Sequence, residues 1–556
     1  MKLFSTAFTA LELLLVGSAY ASFRRHGFHG MEIGPIDTTV ETLNKRAEVA
    51  GSNGWGTFDQ LIDHANPKLG TFKQRYWYGA QYWKGSGSPI FLTTPGEQSA
   101  TGFNRTYTTA ARLPGLMAQE MGGAVIILEH RYWGESSPYP ELTVKNMKYL
   151  TLQNSIKDLT YFATTFVPPF DTTGGSSPSN APWVFSGGSY SGALAGWVAA
   201  VDPGTYWAYH GTSGVVEAVG DFWQYFVPVE EATPKNCTRD LNIVIESVDL
   251  VLRFGTPKQK RELKEKFLLA DLTDADFASA LEWGPWTWQS TQFYSTPNLG
   301  YSPYYQFCDF IENVWPNSTN KVPGAAGVGL FKALDGYAKW FKEVQLPGTC
   351  ESAGYPEWQG KYNTGCFQNQ NASNPAYHDL TPGNYGNRQW YWMLCNEPFE
   401  YWQDGAPFGR PTIVSRLVTA DYWRDQCELF FPRKEGGGSV GIAQGKRADY
   451  VNKWTGGWSV TNTTRLMHAN GGLDPWRDAT VSSIFRPGGP LQSTEQVPVR
   501  VIPGGMHCSD LYGPNWAVNA GAKKVADDQV ANMKTWIAEF YEEKHKLVRS
   551  EGRPRL

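Results

Sequence analysis

The segment Pro182-Trp183-Val184-Phe185-Ser186-Gly187-Gly188-Ser189-Tyr190-Ser191-Gly192-Ala193-Leu194-Ala195-Gly196-Trp197-Val198-Ala199-Ala200 joins three unlike pieces of sequence. Its first residues are apolar and β-prone, its centre is a run of Gly and Ser, and its end is a stretch of small residues that suits a helix packed closely on other structure. A strand, a sharp turn carrying a serine and then a helix make up a nucleophile elbow, in which small neighbours leave room for a strained backbone at the nucleophile. Ser191 stands where the G-x-S-x-G pattern has its second Gly, and Gly192 follows one step later. A Gly/Ser-rich turn read alone is an ordinary loop; its place between strand and helix reverses that reading.

Further strands flank this one. Ser88 to Thr94 reads as a short buried strand that ends in Pro95-Gly96, and Ala124 to His130 as another, with Val125, Ile126 and Ile127 in succession. Thr464 to Ala469 and Val497 to Pro503 repeat the pattern late in the chain, and Ala526 to Lys544 reads as a closing amphipathic helix. Strands that are apolar throughout and alternate with helices predict a mostly parallel sheet covered on both faces. The expected fold class is α/β, an α/β-hydrolase fold.

A serine hydroxyl needs an adjacent base, and on this fold the chain order is Ser, then Asp or Glu, then His. Five His follow Ser189. His545 falls in a charged terminal helix, His378 in a different kind of sequence, His210 just after the elbow helix, and His468 inside an apolar strand pattern that suits a core role. His507, in Gly504-Gly505-Met506-His507, stands directly after the last strand, where the base belongs. Asp474, in the loop after the preceding strand, is the expected acid; Asp510 is nearer in sequence but shares the loop of His507. A lone Asp in a Gly-rich loop is usually a turn former; three roles in order at three strand ends argue for chemistry. The N–H groups of Tyr190 and of the Pro95-Gly96-Glu97 loop, with Gly96 as the donor, are the expected oxyanion hole. Glu97 reads equally as a substrate-binding carboxylate and as a surface one.

The 556 residues are 41% hydrophobic and 18% charged, enough for a large core and too long for one compact domain. A net charge of −4 lacks the basic footprint of a nucleic-acid binder. The character changes from about 215 to 435, where Glu246 to Leu269 has helical periodicity, aromatic residues crowd from Trp283 onward, and six of the seven Cys lie. This predicts a largely helical, disulfide-stapled cap, closed by the run Gly436-Gly437-Gly438-Ser439, between hydrolase segments 47–214 and 436–556. Cys508 is the expected unpaired thiol.

The start of the chain reads as an export signal. Lys2 precedes the mostly apolar stretch Leu3 to Val16, which Glu12 interrupts, and Ala19-Tyr20-Ala21 supplies a small-x-small cleavage site. The expected signal peptide is 1–21, followed by a possible propeptide, 22–46, that ends at the dibasic Lys45-Arg46. The sequons at Asn104, Asn236, Asn317, Asn371 and Asn462 are candidate glycosylation sites, and an oxidising compartment would let the clustered Cys pair. No later run approaches the ~18 apolar residues of a membrane span. The expectation is therefore a secreted protein, or one of a vacuolar or lysosome-like acidic compartment, without a membrane or nucleic-acid partner.

Several longer strings resemble one family. Thr57 to His64, Thr71 to Trp77, Glu129-His-Arg-Tyr-Trp-Gly-Glu-Ser136, Gly187 to Gly192 and Asn470 to Trp476 resemble the prolyl carboxypeptidase and lysosomal dipeptidyl peptidase family of serine peptidases. Thr94-Pro-Gly-Glu97, Trp390 to Pro398, Phe399 to Pro407 and Ile502 to Leu511 are closer still to fungal acid prolyl endopeptidases. The resemblance runs from about 55 to 540. It implies a sheet domain with a helical cap, a triad carried onto Ser189, Asp474 and His507, cleavage on the carboxyl side of proline in peptides or proteins, activity at acidic pH, and no metal or other cofactor. Trp390 and Trp392 read equally as walls of a proline pocket and as cap core. Endopeptidase action is the expectation; a Pro-X carboxypeptidase or dipeptidyl peptidase, an esterase, and a non-catalytic binding protein on the same fold are the alternatives. Oligomeric state is not legible.

Overall fold

The computed structural model describes residues 52–295, 302–315, 318–460 and 463–551. The expected signal peptide and propeptide, and the sequons at Asn317 and Asn462, lie outside the described residues.

The chain divides into two compact units, one formed by 219–448 and the other by the flanking segments up to Ala218 and from Asp449. The flanking segments build one eight-stranded sheet in the order β1-β2-β4-β3-β5-β6-β7-β8. Its strands are β1 (Asn53–Leu61), β2 (Thr71–Gly79), β3 (Ile90–Thr93), β4 (Ala124–Leu128), β5 (Trp183–Gly188), β6 (Ala208–Thr212), β7 (Leu466–Gly471) and β8 (Val499–Ile502). The β1–β2 and β2–β4 pairs are antiparallel and all the others parallel. Every residue of β3, β4, β5, β6 and β7 is buried, which is why these strands are nearly unbroken apolar runs. This sheet, with the elbow at its centre, is the α/β-hydrolase fold.

Three differences from the expectations have physical reasons. The sheet has β1, β2 and β6 in addition to the strands read from sequence. Edge strand β1 alternates exposed and half-buried residues around Gly54 and Gly56, so it lacks an apolar run. The helix expected over Glu246 to Leu269 is two helices, α1 (Lys235–Phe254) and α2 (Pro257–Lys266). The break is built in: Thr256 caps α2 through a reciprocal capping box with Gln259, and Pro257 takes the position where its missing N–H costs nothing. The inserted unit also continues past the Gly run to Ala448, whose N–H bonds Glu400 at 3.0 Å. Residues 433–435 and 437–439 coil into short 3-10 turns within it.

The inserted unit is held by Cys237–Cys308, Cys350–Cys366 and Cys395–Cys427, and Cys508 is free and buried in the sheet unit. Among the described residues no helix is long and apolar enough to cross a membrane. The inserted unit also buries carboxyl groups beside other carboxyl groups. Burial and neighbouring Asp221 push Asp404 up to about 9, against a weaker opposing pull from Arg424. Burial and Asp240 raise Glu312, and burial and Asp404 raise Glu282 well above the usual range.

Two outcomes are expected. In denaturant without reductant, a thiol reagent should titrate one sulfhydryl per chain, and a second would break the pairing. Asp404 and Glu312 hold protons in the folded unit that the unfolded chain releases near pH 4. The folded form therefore binds more protons from about pH 4 up to the raised values, and unfolding free energy falls as pH rises through that window. Thermal melts should show a higher transition at pH 5 than at pH 8.5. Asp404→Asn should narrow the difference; an unchanged gap would remove Asp404 from the account.

Candidate active site

The elbow positions Ser189 by backbone geometry. Ser189 lies at φ 60° and ψ −128°, a conformation that L residues rarely adopt, between β5 and the helix α3 (Tyr190–Val201). Two glycines make the turn possible through close approach. A Cβ on Gly187 would lie 2.2 Å from the Ser191 carbonyl oxygen, and one on Gly192 2.6 Å from that of Thr212. The Ser189 N–H donates to the Thr212 carbonyl at 2.9 Å, which ties the turn to the end of the adjacent strand β6.

Three side chains from three strand ends then meet. His507 Nε2 lies 2.9 Å from Ser189 Oγ, and His507 Nδ1 lies 2.9 and 3.1 Å from the two Asp474 carboxylate oxygens. All three residues are buried. Asp474 is itself fixed by the Trp476 N–H, which donates to Oδ1 at 2.9 Å. Since Nδ1 faces a carboxylate, it carries the proton, leaving Nε2 to accept from the serine hydroxyl. Burial works to lower the His507 pKa, but the Asp474 carboxylate, with neighbouring Cys508, outweighs it and holds the imidazole well above its usual value. Asp510 does not reach this ring: its carboxylate bonds Thr212 and Gln529 instead.

Gly96, at φ +76°, lies on the loop after β3 and borders the start of α3. A Cβ there would be 3.5 Å from Tyr190 Cδ1 and 3.7 Å from the Ser191 backbone nitrogen. Its N–H makes only a long 3.4 Å contact with Thr94 Oγ1. Tyr190 is the first residue of α3, a position whose N–H the helix ladder does not use. The two expected oxyanion donors are thus neighbours. Glu97 is buried, not on the surface.

Trp390 and Trp392 stand on helix α4 (Arg388–Asn396) of the inserted unit at 1% and 2% exposure, against Phe399 and Phe431 respectively. That is core packing. Among the sequons, Asn371 is exposed, and Asn104 and Asn236 are half-buried.

Sequence reasoning passed over His130 and His210. His130 Nδ1 lies 2.9 Å from the Arg131 carbonyl and therefore donates; its Nε2 accepts from the Tyr190 hydroxyl at 3.1 Å. Burial lowers its pKa to about 4, so the neutral ring holds Tyr190 at ordinary pH. Its neighbours Glu129 and Arg131 are also buried and ion-paired, to Arg75 and Asp158. Three consecutive polar residues straight after an all-apolar strand were the available signal.

Residues 60–520 match the family described as Serine carboxypeptidase S28. The chain is 42% identical over 497 residues to "Serine protease vicPa" of Bipolaris victoriae (strain FI3), covering 89% of this chain and 91% of that protein. It is 30% identical over 461 residues to a "Probable extracellular serine carboxypeptidase" of Arthroderma benhamiae, covering 80% of this chain and 60% of that one. Among solved structures, a Pyrobaculum calidifontis esterase aligns over 96% of this chain and 93% of its own at 10% identity with a TM-score of 0.32, too slight a likeness to carry an argument. With the family match spanning most of the chain and a relative of this similarity covered nearly end to end, the chain belongs to the serine carboxypeptidase S28 family of serine peptidases.

Proposed function

We propose that the protein is a secreted serine peptidase that cleaves on the carboxyl side of proline through an acyl-enzyme, and that it does so within chains. The observation that carries the chemistry is the unbroken hydrogen-bond chain Ser189–His507–Asp474. Ser189 Oγ attacks the scissile carbonyl while His507 Nε2 takes its proton, and the tetrahedral oxyanion accepts from the N–H groups of Tyr190 and Gly96. His507 then gives the proton to the leaving amine. Water, activated by the same ring, releases the acyl group. Asp474 keeps the imidazole in the productive tautomer and stabilises its charged form.

Proline specificity and internal cleavage rest on the resemblance of the quoted motifs to prolyl peptidases and to the fungal endopeptidases among them. Export is supported by the signal-like start, by three disulfides and by the name of the extracellular relative. An exopeptidase reading is favoured by the carboxypeptidase names of the family and of that relative.

Two measurements test this. A proline-containing peptide blocked at both ends should be cut after proline, and Ser189→Ala should lower the rate on the order of 10⁶-fold. Trimming of unblocked peptides alone would move the assignment to an exopeptidase, and cleavage with no dependence on proline would overturn the specificity. The second is the pH profile of kcat/KM. A raised His507 pKa requires activity to fall on acidification through a limb at or above about pH 6.5, because the imidazolium cannot accept the serine proton. A profile that stays flat down to pH 4 would instead give the acid-active behaviour that the resemblance implies and would mean that His507 of the free enzyme is not held above its usual value.

A further inference from the structure

Behind the triad lies a second buried constellation, formed by Asp510, Thr212, His210, Gln529 and Ser186, all but fully enclosed. It draws on four places in the chain: the ends of β5 and β6, the turn after His507, and the terminal helix α5 (Ala520–Glu551). The Asp510 carboxylate accepts from the Thr212 hydroxyl at one oxygen and from the Gln529 amide at 2.7 Å at the other. The same Gln529 nitrogen donates to His210 Nε2 at 2.8 Å. His210 Nε2 is therefore an acceptor, and Nδ1 donates to Ser186 Oγ at 2.9 Å. His210 Nε2 lies 3.6 Å from the Asp510 carboxylate, and the Gln529 amide bridges the two.

What this network touches gives it a purpose. Thr212 bonds Asp510 with its side chain and accepts the Ser189 N–H with its carbonyl. The next residue, Ser213, accepts the Cys508 N–H at 2.9 Å with its hydroxyl and donates its own N–H to Ala469 of β7 at 2.7 Å. Residues 212 and 213 thus join the backbone of the nucleophile, the backbone beside the base and the strand that leads to Asp474. Ser189, Ser213 and Cys508 all sit at positive φ, at 60°, 46° and 53°. Strain of that kind persists only where the surroundings over-determine it. Gln529 is committed to its two acceptors although its own buried Oε1 then has no hydrogen-bond partner among the described residues.

We propose that Asp510 is a positioning residue: through Thr212 it fixes the strand end that holds the Ser189 backbone, and through its own turn it fixes His507, with Gln529 and His210 locking the carboxylate in place. Asp510 touches no reacting atom. It sets the Ser189 Oγ to His507 Nε2 distance by controlling two backbones at once. This inference rests on the serine-peptidase reading of Ser189.

The test compares the full-length protein with Thr212→Val, which removes only the hydroxyl, and with Asp510→Asn. Each is assayed for its melting temperature, for the rate at which Ser189 Oγ bonds the phosphorus of a fluorophosphonate and expels fluoride to solvent, and for kcat and KM on the blocked proline peptide. The expected result for both variants is a tenfold to hundredfold fall, about that of a 1 Å misplacement, in phosphonylation rate and kcat, with KM nearly unchanged. Wild-type rates per folded molecule in Thr212→Val would overturn the proposal even if the melting temperature drops, since that is all a structural contact should move. If Asp510→Asn does not fold, Thr212→Val alone decides. Failure of the wild type to label at Ser189 would overturn the proposal together with the reading beneath it, whereas labelled wild type with undiminished variants sinks the positioning role alone.

Discussion

The fit of the Ser189 turn against the end of β6 is the constraint from which the rest of the site follows. Ser189 can hold a positive φ only because its N–H is taken up by Thr212 and because Gly187 and Gly192 let two backbones come within contact distance. A methyl group at either glycine would meet a carbonyl oxygen, so the requirement falls on backbone packing and not on side-chain chemistry. Once that turn is set, the nucleophile stands at a strand end in the middle of the sheet. The other two polar partners need only emerge from β7 and β8, the parallel strands beyond β6.

Charge is distributed unevenly to serve this arrangement. In the sheet unit, buried carboxylates are provided with donors. Asp158 has Arg131 and His64, Glu129 has Arg75 and several hydroxyl and backbone donors, and Asp474 has His507 and a backbone N–H. Such donors offset the cost that an isolated buried carboxylate would meet. The inserted unit does the reverse at Asp404, Glu282 and Glu312, where acid faces acid and the favoured form is neutral. The two halves of the protein therefore make opposite demands on pH: the imidazole of His507 must lose a proton to work, and the inserted unit's carboxyls must keep theirs to stay buried at low cost.

The elbow, the five strands read from sequence and the Ser–Asp–His order were legible because each couples a local pattern to a position: an apolar run, then a Gly-rich break, then a polar residue. Strands β1 and β2 were not: edge strand β1 buries only part of its residues, and β2, paired on both sides, carries Lys73, Gln74 and Arg75 between its aromatics, so neither has an apolar run. The short β6 escaped because His210 and Gly211 interrupt it, and His210 is polar for a reason that only the Asp510 network reveals. Trp390 and Trp392 show the limit of composition. Aromatic abundance marks places with much area to bury, and it does not distinguish a wall from a core. The split between α1 and α2 was readable in principle from Gly255-Thr256-Pro257, since the cap chemistry sits in plain sequence; helical periodicity across the gap concealed it.

The inserted unit interrupts the sheet between β6 and β7, which are hydrogen-bonded neighbours. A ribosome therefore releases Ser189 and its elbow long before Asp474 and His507 exist, with more than two hundred residues of another folding unit to be completed between them. Strand β7 has no partner to dock on until β6 is held in place, and the base arrives only with the final strand. Domains form in the order in which they are made, so the nascent chain carries a serine that has nothing to activate it. Proteolytic competence is withheld by connectivity alone until the chain has been made through the inserted unit and as far as His507.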